Sequence, residues 1–415
     1  MNRLAFLCLV LTGAIACATA QLSAQSSTPS PAVTNASKRL GKGDYLETIE
    51  ALKAAAYTPD GTVRDPVADQ LWHQFNPYMT NELAPAVADH GDTDRELGQG
   101  WAGEIAAATP RDAITEIVRR ARTSQIVILN EAHTSPRDRA FGLEVARALR
   151  PLGFSILAVE TLRNDLPPDN PDSAVAQLQR DRYVRFNTGA YTCDPVFAGF
   201  LRGALALGYE PVAYEGTPAQ LTPGGGIAER EQAQASNLVA AIFAKRPKAR
   251  VLIYVGVSHV AERPLGKIEW MASRLKRMTG IDPLTIDQAT ITDLSAWTRG
   301  PYDLTAHRIG DRSAIFFSAG KPLVLGKYAG AVDLQVIHPA RSYRFGRPTW
   351  LKTLGGKPLL IPKDLLPLRG RRLIQVFAAN APADAVPLDQ VLVEAGGNVP
   401  MLMVPAGPVR FQAQP

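Results

Sequence analysis

Five short apolar segments each end in an acidic residue or a histidine, and this recurrence constrains the fold more than any other feature. The segments read IVILNEAH, SILAVE, EPVAYE, RVLIYVGVSH and PLTID, and their polar ends are Glu131 with His133, Glu160, Glu215, His259 and Asp287. Stretches with helical periodicity separate most of them, which is typical of alternating strands and helices in a mostly parallel sheet. Ligands of such sheets bind outside the carboxyl ends of the strands. The pattern therefore predicts an α/β fold, with flanking helices and with these side chains gathered at one edge.

The first residues have the pattern of a secretory leader. The segment MNRLAFLCLVLTGAIACATA combines an early Arg, an apolar run and a small-residue triplet, so residues 1–20 are predicted to be a signal peptide cleaved after Ala20. An alternative makes Cys17 the acylated first residue of a lipoprotein. No apolar segment reaches the ~20 residues that a membrane span needs. We therefore expect a periplasmic or secreted protein with no transmembrane segment.

Composition divides the rest of the chain into four regions. Residues 21–37 are rich in Ser, Thr, Pro and Ala and are expected to form a disordered spacer. Residues 38–122 have helical periodicity and are expected to pack on the core as an N-terminal helical region. Residues 123–340 form the predicted α/β domain. Short strand-like runs between Gly and Pro turns predict a small β-rich domain over residues 341–415.

Charge and cysteine content argue against two classes of function. Lys and Arg exceed Asp and Glu by only 45 to 39, and no long basic run is interleaved with aromatic residues, so a nucleic-acid partner has no support. Cys193 is the one cysteine that follows the leader, which leaves no partner for an internal disulfide. No base lies beside Cys193 in the sequence, and we expect it to be a packed bystander rather than a nucleophile.

The strand ends offer residues for hydrolytic chemistry. Glu131 and His133 are two residues apart and can point the same way, and His259 ends another strand in G-V-S-H. Such groups can form a general base oriented by an acid, or can bind a divalent metal ion. Arg230, in a helix that follows the third strand, could bind a substrate carboxylate or form a surface ion pair. Ser258 lacks the second glycine of the G-x-S-x-G motif, which disfavours a serine hydrolase.

Taken in order, these motifs resemble a known superfamily over residues 124–290. N-E-x-H after the first strand, the acids of ILAVE and AYEG, R-E in the next helix and the final G-x-x-H are similar to the Tiki, ChaN-like haem-uptake and erythromycin-esterase superfamily. Members commonly begin the first motif with G-E-x-H, whereas Asn130 stands at the glycine position here. Asn tolerates positive φ better than other non-glycine residues, so the turn is expected to survive.

The resemblance implies either catalysis or ligand uptake. The superfamily includes metal-dependent peptidases, haem-binding lipoproteins and esterases that work without metal. Carried over by motif, the resemblance implies Glu131, His133, Glu160 and His259 as catalytic residues, with Glu215 and Arg230 binding substrate. A metal such as Mn, Co, Zn or Fe would be held by Glu131, His133 and His259.

The expected function is therefore an exported hydrolase of a small molecule or peptide. The first alternative is a haem- or metal-binding uptake protein without turnover, in which haem would take an axial His or one of Tyr183, Tyr191 and Tyr214. The second alternative is an interaction protein with a decayed site. The sequence leaves the substrate and the oligomeric state open.

Overall fold

The structure is a computed structural model and describes residues 30–80, 97–222, 224–293 and 296–415. The expected leader, including Cys17, and the first part of the expected spacer lie outside the described residues. Among the residues described, no helix has the length and apolar character that crossing a membrane requires.

A large mixed sheet forms the centre of the described structure and confirms the predicted α/β class. Its strand order is β1-β7-β9-β6-β2-β5-β3-β4, with β8 paired to β7. The run β9-β6-β2-β5-β3-β4 is parallel, whereas β1, β7 and β8 add antiparallel pairs at one side. The strands are β1 (Thr109–Asp112), β2 (Ile126–Glu131), β3 (Ile156–Val159), β4 (Glu210–Ala213), β5 (Val251–Gly256), β6 (Leu284–Asp287), β7 (Ala314–Ser318), β8 (Lys321–Pro322) and β9 (Leu334–Ile337).

Helices cover both faces of this sheet, which explains why its strands are continuous apolar runs. Val127 and Leu129 of β2 point into one hydrophobic core, while Ile126 and Ile128 point into the other. The first core also takes residues from α6, α7 and α9, and the second from α10 and α11. These helices are α6 (Ala113–Ala121), α7 (Pro136–Leu149), α9 (Pro195–Ala206), α10 (Ile227–Leu238) and α11 (Met271–Thr279); α8 (Ala174–Asp181) lies in the insertion after β3, and α12 (Ala296–Ala306) precedes β7.

The N-terminal region is helical, with two differences from expectation. Its helices are α1 (Pro31–Leu40), α2 (Leu46–Ala56), α3 (Pro66–Phe75), α4 (Pro77–Thr80) and α5 (Trp101–Ala107). Residues 31–37, expected in the disordered spacer, belong to α1, because Ser30 caps the helix and Val33 and Ala36 are buried against its neighbours. Residues 109–112, expected to be helical, form strand β1 and pair with β7.

The C-terminal region contains short antiparallel sheets, as its Gly and Pro turns predict. Strands pair as β14-β13-β16, β12-β15 and β10-β11. The region also contacts the other end of the chain, since the backbone N–H groups of Tyr45 and Leu46 donate to Gln414 Oε1. Its strands are β10 (Tyr343–Arg344), β11 (Arg347–Pro348), β12 (Lys357–Leu359), β13 (Arg371–Ala378), β14 (Asp389–Glu394), β15 (Leu402–Val404) and β16 (Val409–Gln414).

Candidate active site

At the end of β2, the carboxylate of Glu131 lies next to the imidazole of His133. Glu131 is 2% exposed and its Oε1 lies 2.9 Å from His133 Nδ1, while Arg139 Nε donates to its Oε2 at 2.8 Å. Burial alone would raise the pKa of Glu131, but Arg139 and the hydrogen bond from His133 hold that pKa below its ordinary value. An ionised Glu131 is only an acceptor, so it fixes a proton on His133 Nδ1. In the neutral form of the ring, the lone pair is then on the other nitrogen, Nε2.

His133 Nε2 and Glu160 both lie beside Gly256, at the end of β5. This nitrogen is buried and has no hydrogen-bond partner among the described residues. A Cβ added to Gly256 would lie 3.0 Å from His133 Nε2 and 3.1 Å from Glu160 Oε2. The imidazole and the carboxylate therefore both approach the bare Cα of Gly256. The ring of His133 is also packed against Tyr191, with ring centroids 4.3 Å apart.

Glu160 accepts hydrogen bonds on both of its carboxylate oxygens. Its Oε2 accepts from the backbone N–H of Gly256 at 2.5 Å, and its Oε1 accepts from Arg230 Nη2 at 2.6 Å. His259 Nε2 lies 3.3 Å from the same Oε1. Burial opposes ionisation of Glu160, yet His259 and Arg230 hold its pKa well below the ordinary value. Glu160 is therefore a fixed negative charge at the end of β3.

Arg230 bridges two carboxylates rather than forming a surface ion pair. Its Nη2 donates to Glu160 and, also at 2.6 Å, to Glu215 Oε2, while its Nε donates to Glu215 Oε1 at 3.1 Å. The Arg230 side chain is only 11% exposed. Gln234 Nε2 adds a further hydrogen bond to Glu215 at 3.0 Å. Helix α10 thus ties the ends of β3 and β4 together through one guanidinium.

His259 lies behind Glu160 and is fully buried. Its Nδ1 is 2.9 Å from Glu231 Oε2, which also accepts the backbone N–H of Met271 at 2.7 Å. Its Nε2 is 3.3 Å from both Glu160 Oε1 and Arg230 Nη1. A single ring nitrogen cannot donate to Glu160 and accept from Arg230 at the same time. The protonation of His259 therefore decides which of these two contacts is a hydrogen bond.

Two residues of the site were missed as site residues by the sequence analysis: Arg139 and Glu231. Arg139 is completely buried and also donates to Asp194 Oδ2 at 2.7 Å. Its signal in the sequence is its place on the apolar stripe of α7, in line with Leu143 and Ala146, where an unpaired Arg would be costly. Glu231 is the acid of the R-E motif, but only Arg230 of that pair was assigned a role from the sequence.

Asp287, predicted at the same edge, does not join the cluster. It is fully buried, and its Oδ1 accepts from Asn130 Nδ2 at 2.8 Å while its Oδ2 accepts from Gln335 Nε2 at 3.0 Å. The expectation of positive φ at Asn130 is wrong, since Asn130 lies within β2 and is not among the positive-φ residues described. Its side chain instead joins β2 to β6, where Asn130 Oδ1 accepts the N–H of Gln288.

The three expected metal ligands do not point to a common position. Glu131 already accepts hydrogen bonds from Arg139, His133 and Tyr254, and it lies on the Nδ1 side of His133. His259 faces Glu160 instead. Across the described parts of the chain, no group of three or more His, Cys, Asp or Glu side chains is arranged to hold a metal ion. The structure therefore does not bring Glu131, His133 and His259 together as ligands of one metal ion. A metal requirement stays a prediction.

A cavity of about 120 Å³ opens beside the cluster, and we call it the site cavity. Glu160, Glu215 and Arg230 form its polar side. Its other walls are largely apolar and come from the N-terminal helices and from the insertion that follows β3: Leu40, Leu71, Phe75, Leu162, Phe186 and Tyr191. The N-terminal helical region is therefore part of the site, which the sequence did not indicate.

Of the tyrosines considered for haem, only Tyr191 lines the site cavity. Tyr183 donates to Asn380 Oδ1 at 2.7 Å, and Tyr214 is fully buried and donates to the carbonyl of Tyr254. The volume of the cavity is below the ~300–1,000 Å³ of pockets for drug-sized ligands. Haem would require its walls to move apart.

Comparison with known proteins does not place the chain in a family. No family model and no curated protein matches it. The structure is similar to that of RRSP, a MARTX toxin effector domain from Vibrio vulnificus CMCP6, at 16% identity and a TM-score of 0.33, over 60% of this chain and 55% of that one. A structure described as bacterial protein toxins matches at 15% identity and a TM-score of 0.33, over 69% of this chain and 64% of that one. Each match thus spans less than two thirds of the length of the toxin chain.

Proposed function

We propose that the protein is an exported hydrolase in which His133 is the general base. The observation that carries this proposal is His133 Nε2, a buried nitrogen without a partner among the described residues, facing Glu160 while Glu131 holds the opposite ring nitrogen. A base oriented by a buried carboxylate is the arrangement by which enzymes activate hydroxyl groups and water. Export is part of the proposal and is supported by the pattern of residues 1–20.

In the proposed reaction, a water between His133 and Glu160 attacks a carbonyl carbon of the substrate. The water gives a proton to His133 Nε2 as its oxygen forms the new bond to carbon. The C–N or C–O bond to the leaving group then breaks, and His133 returns the proton to that group. Glu160, held ionised, accepts a hydrogen bond from the second O–H of the water and thereby orients it; this hydrogen stays on the oxygen that is transferred to the product. Arg230 provides positive charge near the developing oxyanion, and His259 positions Glu160.

The site cavity indicates what a substrate would present beside the bond that is broken. An apolar cavity of ~150 Å³ is large enough for benzene, and the site cavity of about 120 Å³ is slightly smaller. An acyl group or side chain of branched aliphatic or small aromatic type would fit. Small-molecule esters and peptides with such a group are therefore the proposed substrates.

The test is hydrolysis of a panel of p-nitrophenyl esters and fluorogenic peptides with graded apolar groups. His133→Ala and Glu160→Gln should each lower kcat/KM by about 10²–10⁴-fold, the usual contribution of general acid–base catalysis. His307→Ala is the matched control, because His307 is exposed and outside the cluster. Circular dichroism and urea unfolding of each variant would show that the fold is retained.

Three results would contradict this proposal or redirect it. Full activity in a folded His133→Ala variant would remove His133 as the base. Activity lost with a chelator and restored by one of Mn, Co, Zn or Fe would replace the mechanism with a metal-dependent one. A Soret band on haem titration that is lost in His133→Ala and Tyr191→Phe, with no turnover of the panel, would favour the uptake protein.

A further inference from the structure

A second and larger cavity lies away from the candidate active site, at the junction between the sheet domain and the C-terminal strands. Its volume is about 270 Å³, and we call it the junction cavity. Helix α9 forms one wall. The 3-10 helix Thr349–Leu354 and residues in or next to β14 and β15 form the others. No residue lines both this cavity and the site cavity.

Arg202 is the one basic residue among those that line the junction cavity. It makes no hydrogen bond and no ion pair with the described residues, although it is partly buried. Its guanidinium lies over Gly199, since a Cβ at that position would be 3.8 Å from Arg202 Nη2. Burial lowers the pKa of Arg202 to about 10, so the side chain is still a cation at neutral pH. A desolvated guanidinium without an acceptor is costly unless something else pairs with it.

The acidic groups around Arg202 are already committed to other partners. Asp389 lines the junction cavity, but its two oxygens accept from Arg347 at 2.7 and 2.8 Å, and its Oδ2 also accepts the N–H of Met403. Asp194 is near enough to raise the pKa of Arg202, yet its oxygens accept from Arg139 and from the N–H groups at the start of α9. The positive charge of Arg202 is therefore without an acidic partner among the described residues.

We propose that the junction cavity binds an organic carboxylate, with Arg202 as its partner. The planar guanidinium matches the geometry of a carboxylate and can hold both oxygens. The rest of the wall is mostly apolar, including Val196, Leu351, Leu354 and Met403. Because benzene fits a cavity of ~150 Å³, a cavity of about 270 Å³ holds a ligand of roughly ten non-hydrogen atoms. A medium-chain or arylalkyl monocarboxylate has the required charge, size and apolar body.

Octanoate is the probe, and 1-octanol is the neutral molecule of the same length. Calorimetric titration of the full chain should show one octanoate site and at least tenfold weaker binding of 1-octanol. Arg202→Gln should weaken octanoate binding at least tenfold and abolish the preference for octanoate over octanol. Arg369→Gln removes the same charge at an exposed position and should change the octanoate affinity less than twofold.

The proposal fails if octanoate does not bind saturably, or if it binds Arg202→Gln as tightly as wild type, which would locate its site elsewhere. Equal weakening by Arg202→Gln and Arg369→Gln would show a nonspecific charge effect and would also overturn it. Arg202→Gln removes no hydrogen bond of the described structure, so its urea unfolding should match that of wild type. None of these outcomes depends on whether the candidate active site is catalytic.

Discussion

One methyl group at Gly256 should separate the two halves of the candidate active site. In Gly256→Ala the new Cβ would lie 2.9 Å from His133 Cε1, 3.0 Å from His133 Nε2 and 3.1 Å from Glu160 Oε2. Carbon atoms in favourable contact are ~3.5–4.0 Å apart, so His133 must move by roughly 0.5–1 Å. The backbone itself is permissive, since φ is −73° and ψ is 169° at Gly256. The whole effect should therefore come from the displaced side chains.

A displacement of about 1 Å in a catalytic group costs on the order of 10²-fold in rate. We expect kcat to fall by that factor on a substrate from the ester and peptide panel, with a smaller change in KM because the apolar walls of the site cavity are untouched. Overpacking should lower the free energy of unfolding by about 1–3 kcal/mol. Nitrogen NMR of the imidazoles should show His133 protonated at Nδ1 in wild type and shifted signals in the variant.

Gly103→Ala is the matched control for this experiment. Gly103 lies in α5, is exposed, and has no atom within 4 Å of an added Cβ. Its replacement should leave the rate unchanged and stabilise the protein by up to ~1 kcal/mol through helix propensity. A folded Gly256→Ala variant with the rate of wild type and unchanged His133 signals would refute the reasoning, because the approach of His133 to Glu160 would then have no catalytic role.

Two further predictions concern buried charges. Arg139→Leu leaves Glu131 and Asp194 without their cation, so the free energy of unfolding, measured in urea, should fall by about 3–5 kcal/mol. The control Arg246→Leu removes an exposed ion pair and should lower it by at most ~1 kcal/mol. Equal losses in the two variants would contradict the stabilising role of the buried network. Burial raises the pKa of Asp138 to about 7, so the native state holds a proton that the unfolded chain releases near pH 4. Stability from this group should therefore decline between about pH 4 and pH 7, by up to ~1.4 kcal/mol per pH unit. Urea unfolding across this range should show a shallower decline in Asp138→Asn, and an unchanged slope would refute the assignment.

The sequence predicts the strands of the sheet better than their arrangement. Strands β2, β5 and β6 lie within the apolar runs because both faces of the sheet are covered and every residue of these three strands is buried. The strand order, with β2 between β5 and β6, depends on crossovers that no local pattern specifies. Strand β1 was not predicted for two reasons. Thr109–Asp112 contains Pro110, which is unusual in a strand, and these four residues directly precede a strongly amphipathic helix, whose pattern was extended over them.

The residues of the candidate site could likewise be predicted from the sequence, whereas their contacts with residues far away in the chain could not. Glu131, His133, Glu160, Glu215 and His259 were chosen as strand ends, and the structure brings all five to one cluster with Arg230. Which nitrogen of His133 faces Glu160 could not be predicted, because it depends on Arg139 fixing Glu131 from another helix. The apolar wall of the site cavity could not be predicted either. Leu71 and Phe75 precede Glu160 by many residues, and nothing in their sequence pattern distinguishes them from ordinary core residues.

The contact between Gln414 and the loop before α2 has a consequence for when the site can exist. Gln414 accepts the N–H of Tyr45 and donates to the carbonyl of Gly43, across 369 residues of chain. The N-terminal helices, which wall the site cavity, therefore gain this attachment only after β16 has been synthesised and has paired with β13. A ribosome-bound chain should already contain His133 and Glu160 but lack this support for the wall of the site cavity. The order of synthesis therefore makes the complete wall of the site cavity one of the last features of the fold to form.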